Sequence, residues 1–354
     1  MEENKIVNNL KFAEMQSIKE IPAPEEKKVS GKEYINYGKD NKYPEYLWNL
    51  YLRSAILQSI INGCTDYTLG NKIIVDQSID EFSKMINKDG EELEDLIKKL
   101  IVDKYIFGGC AIQRIVNRQG KLLELYWLDF KNCRINAEET KLFYSKDWGK
   151  FGSKAVEYDI YNPATGKGDV LYFKGHITRS LYPIPMYVGG ITAIETSTEI
   201  ARFHLNAITN NFNVNTVINF NNGVPDDEVQ DEMERTVAGK FNGTDAQTFM
   251  LSFNNDKDHS TEVIKLQDDN FDKKYEALYG STLKEIFISM RATPALFGLN
   301  PENNGFSKQE FLEAFELFNR TVIQPNQKDI ERIFKQLFGK PVIKFVPFNL
   351  EVKE

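Results

Sequence analysis

The sequence has 354 residues, 41% hydrophobic and 27% charged, with a formal net charge of -8, the composition of a globular chain with apolar content for a large core. That length suggests two or three domains or sub-domains. No apolar run approaches the roughly 20 residues that cross a bilayer, and MEENKIVNNLKFAEM has no basic stretch followed by an apolar one, so neither a membrane span nor a secretory leader is expected.

Residues 1 to 30 mix Lys and Glu without helical or strand periodicity, and IPAPEEKK adds two prolines. This predicts a flexible N-terminal arm, or a strap that orders on a partner. In KYPEYLWNLYLRSAILQSIINGCTDYTLG, Pro44 suits the first turn of a helix, and Tyr46, Leu47, Leu50, Leu52, Ile56, Ile60 and Ile61 form a stripe of 3.6 period. Gly63 is expected to end that helix. From Glu92 the pattern is a helix, a break at Gly108 and Gly109, and two strands around the turn at Gln119 and Gly120. AVEYDIYN and VLYFKGHITR, on either side of PATGKGD, read as a further β stretch. The span 31–190 is therefore an α+β unit.

After Gly189 and Gly190 the pattern turns helical over 191–212, with Ile191, Ile194, Ala201, Leu205, Ile208 and Phe212 on one face. A small α/β insert follows at 213–267: the strand TVINF, a helix with Asp226, Asp227 and Glu228 at the positive end of its dipole, and the strands TFMLSF and EVIKL. A second long helix over 268–293 carries Phe271, Tyr275, Leu278, Leu283, Ile286, Phe287 and Met290 in phase, and Pro294 closes it. The polar stretch LNPENNGFS, within 294–307, holds almost nothing able to pack in a core. The span 308–354 then gives a long helix bent at Pro325, a stop at Gly339 and a last strand, VIKFVPFNL.

The chemistry-bearing residues are sparse. Cys64, Cys110 and Cys133 are odd in number and widely spaced among apolar neighbours, the pattern of buried thiols rather than a disulfide framework or a zinc site. His176, His204 and His259 lack the HxxxH or HxH spacing that holds a metal. The carboxylate pairs Asp226/Asp227, Asp268/Asp269 and Glu91/Glu92 fall at helix starts or in loops, where capping explains them. Neither Gly-Gly pair is followed by the Lys-Ser/Thr of a phosphate loop. No nucleophile with a base nearby presents itself, so no enzyme, metal or cofactor is expected.

The strongest signal is an arrangement: helix, insert, helix, polar loop, long Pro-bent helix. Two rods carrying an insert away from an α+β body, with aromatic residues along them, need neighbours to bury those residues, which points to oligomerisation.

Three stretches in this order carry a family resemblance: IVDKYIFGGCAIQRIVNRQGKLLELYWLDFKNCRI, GHITRSLYPIPMYVGGITAI, and IFISMRATPALFGLNPENNGFSKQEFLEAFELFNRTVIQPNQKDIERIFKQLF. Together, over roughly residues 34–348, the chain resembles the portal proteins of tailed bacteriophages, the ring that joins capsid to tail and through which the genome is pumped. The resemblance implies an α+β wing, a two-helix stem at 191–212 and 268–293, a clip at 213–267 and a tunnel loop. The tunnel loop comprises Asn300, Pro301, Glu302, Asn303, Asn304, Gly305, Phe306 and Ser307, facing DNA in the central channel. Lys284 and Lys308 are the residues available for sparse phosphate contacts, and Phe271, Tyr275, Leu278, Leu283, Ile286, Phe287 and Met290 would form the stem seam between copies. The short C-terminus leaves room for at most a minimal crown.

The implied partners are copies of the chain itself, double-stranded DNA passing non-specifically, the terminase large subunit of the packaging motor, a head-completion or adaptor protein, and the major capsid or scaffold protein. The implied location is the portal vertex of the virion, and the host cytoplasm during assembly. Transit rather than capture of DNA agrees with the charge: about twelve copies would carry on the order of -96, a field that discourages adhesion to phosphate. The alternative is a non-portal virion or adaptor protein that binds only protein partners.

Overall fold

In the computed structural model of the chain, the described residues are 21–150, 154–175, 180–209, 216–220, 223, 225–241, 249–253, 271–299 and 308–348. Strand β1 (Glu26–Lys28) pairs antiparallel with β2 (Ile35–Tyr37). The arm expected over residues 1–30 therefore does not extend that far as a free segment, because its last residues close a hairpin within the chain. The helix expected from Pro44 is two helices, α1 (Tyr43–Arg53) and α2 (Ala55–Leu69), divided at Ser54, whose hydroxyl accepts the Leu57 N–H and caps the second. Gly63 does not end the helix. It lies inside α2, which runs on to Gly70.

Strand β3 (Lys72–Val75) pairs antiparallel with β12 (Ile343–Val346), so an early segment and the C-terminal strand meet in one ribbon. The short helix α3 (Asp80–Ser83) precedes α4 (Leu93–Phe107), where the Asp95 carboxylate accepts the Glu92 backbone N–H at 3.4 Å and Gly108 ends the helix in the left-handed region at φ 83°. The three-stranded sheet β5–β4–β9 follows, built from β4 (Gly109–Val116), β5 (Leu122–Leu128) and β9 (Val170–Lys174), antiparallel throughout. Its central strand buries Cys110, Ala111 and Ile112 completely against α4. A second antiparallel sheet joins β6 (Cys133–Ile135), β7 (Lys141–Tyr144) and β8 (Val156–Asp159). The segments flanking PATGKGD thus belong to different sheets, linked by single bridges at Ile160 with Val170 and Asn162 with Lys167.

Helix α5 (Ile191–Thr209) leads to the insert, where β10 (Thr216–Phe220) and β11 (Phe249–Phe253) pair in parallel across the intervening α6 (Asp227–Phe241). A parallel pair needs such a crossover, so the α/β reading of the insert holds for these elements. The expected strand EVIKL lies outside the described residues. Helix α7 (Phe271–Ser289) returns toward the body, a 3-10 turn spans Pro294–Phe297, and α8 (Lys308–Phe318) runs into α9 (Gln324–Phe338) through a π-helical turn at Asn319–Ile323. The expected bend at Pro325 takes this form: proline has no N–H to donate and crowds the preceding turn, and a widened turn accommodates both. The Gln324 N–H reaches back to the Asn319 carbonyl.

The architecture is α+β, as expected. One core cluster runs from Tyr37 and Leu47 on the first elements through Leu96 and Ile112 to Ile286, Phe318, Phe334 and Phe345. Among the described residues no helix is long and apolar enough to cross a membrane, and no three His, Cys, Asp or Glu side chains come together as metal ligands. Cys64, Cys110 and Cys133 are free and buried, and burial pushes each thiol well above its ordinary pKa. His176 and His259 lie outside the described residues.

Candidate oligomer interface and channel loop

Helices α5 and α7 pack side by side and run in opposite directions: Gly190, just before α5, meets Ser289 at the end of α7, while Phe203 near the far end of α5 stacks on Tyr275 with ring centres 5.1 Å apart. The near end is a root. A Cβ on Gly190 would stand 2.3 Å from the Ser289 hydroxyl, so only glycine permits this approach. Tyr182 stacks on Tyr37 at 4.1 Å, the Tyr37 hydroxyl donates to the Pro183 carbonyl, and Tyr187 donates to the Ile106 carbonyl at 2.8 Å, fixing the segment that feeds α5. From α1, Tyr46 donates to the Glu195 carboxylate at 2.8 Å.

Burial falls along the pair from this root outward. Ile191, Ile194, Ile286, Phe287 and Met290 are all buried within the one chain. At the outer end Leu205 is 63% exposed, Leu278 45% and Tyr279 43%. Beside them is a groove of about 470 Å³ lined by Ile200, Ala201, His204, Tyr275, Glu276 and Tyr279. The expected seam is accordingly corrected. Ile286, Phe287 and Met290 belong to the subunit's own core, because α7 packs there on α2 and on the turn before α5, and Leu283 packs half-buried against it. Of the seven, Leu278 is exposed, Tyr275 is half-buried against Phe203, and the side chain of Phe271 lies outside the described residues. A helical period identifies an apolar face but not whether its partner is in the same chain.

Lys284 is exposed on α7, one turn before Ile288, which is 74% exposed. Lys308 begins α8, and its side chain lies outside the described residues, as do Asn300, Pro301, Glu302, Asn303, Asn304, Gly305, Phe306 and Ser307. What is described is the base from which that stretch departs and to which it returns. On one side, Phe297 makes edge contacts with Tyr67, Phe287 and Phe318, and the Tyr67 hydroxyl donates to the Leu296 carbonyl at 2.9 Å. On the other, Phe315 and Phe318 of α8 are buried beside Tyr67. Both ends of the stretch are thus tied to α2. Gly63 makes room for this: a Cβ there would lie 2.6 Å from the Phe297 ring. The aromatic clasp was missed in the sequence, although a glycine in the middle of a strong helical pattern is a sign of close approach.

No known family profile and no curated protein matches the sequence. Solved structures do match the fold. A chain in the virion of a native gene transfer agent particle superposes with a TM-score of 0.56 at 14% identity, over 86% of this chain and 83% of that one. A chain from the neck of the native gene transfer agent particle, computed with C12 symmetry, gives 0.56 at 13%, covering 87% and 85%. An HK97-family phage portal protein from Corynebacterium diphtheriae gives 0.52 at 11%, covering 85% and 94%. The chain has the phage portal fold.

Proposed function

We propose that the chain is the subunit of a portal ring at one vertex of a phage-like capsid, a conduit for DNA during packaging and ejection. In this reading residues 31–190 and the C-terminal helices form the wing, α5 and α7 the stem, 213–267 the clip, and 300–307 the loop facing the channel. The observation that carries it is the outer half of the α5–α7 pair, where Leu205, Leu278 and Tyr279 keep much of their apolar surface exposed in one copy. Support also comes from the C12 symmetry of the gene transfer agent neck that shares the fold.

The wing would meet the capsid or scaffold protein, and the clip the terminase large subunit during filling and an adaptor afterwards. The reading assigns a structural role and no reaction. Lys284 and Lys308 would touch phosphate only sparsely, since twelve chains of net charge -8 sum to -96, a field that favours sliding over binding.

Particle mass tests the reading. Twelve copies of a 40.8 kDa chain give a ring of about half a megadalton with a central hole in negative stain. A chain that remains monomeric or dimeric under all conditions overturns the proposal. In a phage that assembles, deleting Glu302 to Gly305 is expected to leave rings intact and reduce packaged genome length or phage yield.

A further inference from the structure

Helix α7 ends in an unusual way. The Ala292 N–H donates to the Phe287 carbonyl at 2.9 Å and the Arg291 N–H to the Ile288 carbonyl at 3.0 Å, a closing turn in which Arg291 takes the left-handed position at φ 52°. Glycine is the residue that suits this position, and any Cβ strains it. An arginine there carries a backbone cost that glycine would avoid, and such an outlier directs attention to what the side chain does.

That side chain lines the mouth of a cavity of about 320 Å³ between α4, the segment before α5, and the π-helical turn. Ile184, Met186, Val322 and Pro325 give the cavity apolar walls. Lys104 lies deeper and is fully committed, at 2.6 Å from one oxygen of Asp329 and hydrogen-bonded to the Asn326 amide oxygen. The other Asp329 oxygen takes Arg332 at 2.9 Å. Both oxygens of the local carboxylate are thus occupied, while the exposed Arg291 guanidinium makes no hydrogen bond or ion pair among the described residues. A partly apolar cavity with one free guanidinium at its rim fits a side chain with a methylene stem and a terminal carboxylate.

We propose that this cavity receives an acidic side chain of a neighbouring copy, with Arg291 as the residue that binds its carboxylate, an inference that rests on the ring reading. The chain carries 52 Asp and Glu against 44 Lys and Arg, so carboxylates are available on a facing copy. Duplex DNA fits less well, because its backbone does not enter a concave apolar cleft.

The test compares wild type with Arg291→Gly and Arg291→Lys by mass photometry across protein concentrations, with thermal unfolding measured in parallel. Arg291→Gly relieves the backbone, so it is expected to unfold at a temperature no lower than wild type while needing roughly tenfold or more protein to assemble. Arg291→Lys keeps the charge without the planar fork and should fall between the two. Wild-type rings matched by Arg291→Gly rings of equal stability overturn the contact and leave the portal reading standing. Normal Arg291→Gly rings that retain less DNA overturn it in favour of phosphate. A wild-type chain that never assembles removes the ring and the contact together.

Discussion

Phe297 lies against Gly63 so closely that a methyl group on the glycine would be 2.6 Å from its ring. The contact joins the middle of α2 to the 3-10 turn that Gly298 caps, with the nine residues 299–307 between that cap and α8.

Gly63→Ala should therefore destabilise the chain by about 1–2 kcal/mol, because overpacking a partly buried ring outweighs the gain in helix propensity. In a Phe297→Ala background the clash is gone, and the same substitution should stabilise by roughly 0.5–1 kcal/mol, the ordinary benefit of alanine over glycine in a helix interior. Urea unfolding of the four proteins measures the reversal. Additive effects of one sign would remove the clasp from the account of how the loop is based.

The two halves of the α5–α7 pair should respond differently to a charge. Leu278→Lys at the exposed end is expected to change monomer stability by no more than about 0.5 kcal/mol while weakening assembly. Ile286→Asp, at a fully buried position, places an unpaired charge in the subunit core and should cost more than about 4 kcal/mol, enough to abolish folding before assembly is reached. Circular dichroism separates the second from a folded protein that fails only to assemble. A folded Ile286→Asp monomer would show that α7 does not pack as described.

The order of elements was legible because each long element carries a strong period: α4, α5, α7 and α9 all appear where their apolar residues recur, and the turn at Gly120 closes β4 on β5. Short strands were not legible. β6 has three residues and β3 four, too few for alternation to stand out, and β3 is defined by its partner β12 far along the chain. Ser54 looked like an interior helix residue because the apolar stripe continues through it, although its hydroxyl caps α2. At the candidate site the apolar face of α7 was visible, but the division between its buried root and open tip was not, since that depends on what α2 and the turn before α5 cover.

Arg134 is entirely buried and has no carboxylate partner among the bonds it makes. Its guanidinium donates to the Asn41 side chain at 2.5 Å and to the carbonyls of Asn41 at 2.6 Å, Cys133 at 2.7 Å and Lys131 at 2.9 Å, with Trp148 over its plane at 5.0 Å. This single side chain joins the loop before α1 to the strand β6. Arg134→Lys cannot reproduce the fork and leaves buried acceptors unpaired, for a loss of about 3 kcal/mol or more. A denaturant midpoint within error of wild type would contradict that.

Asp103 on α4 gives the chain a built-in pH dependence. Burial raises its pKa well above the ordinary value of 3.8, against the opposing donors Trp127 Nε1 at 2.7 Å and the Phe130 N–H at 3.4 Å, and the nearby Asp129 adds to the rise. The folded chain then holds this proton more tightly than the unfolded chain does. Its contribution to stability is complete below pH 3.8 and is lost as the pH rises through the raised folded value. Asp103→Asn keeps one oxygen to accept both donors and carries no charge. The variant should therefore gain on wild type as the pH is raised, and urea midpoints for the two proteins between pH 4 and 8 should diverge. Parallel pH profiles would mean that the Asp103 carboxyl does not change its protonation on unfolding in that range, and the burial argument for its proton would fail.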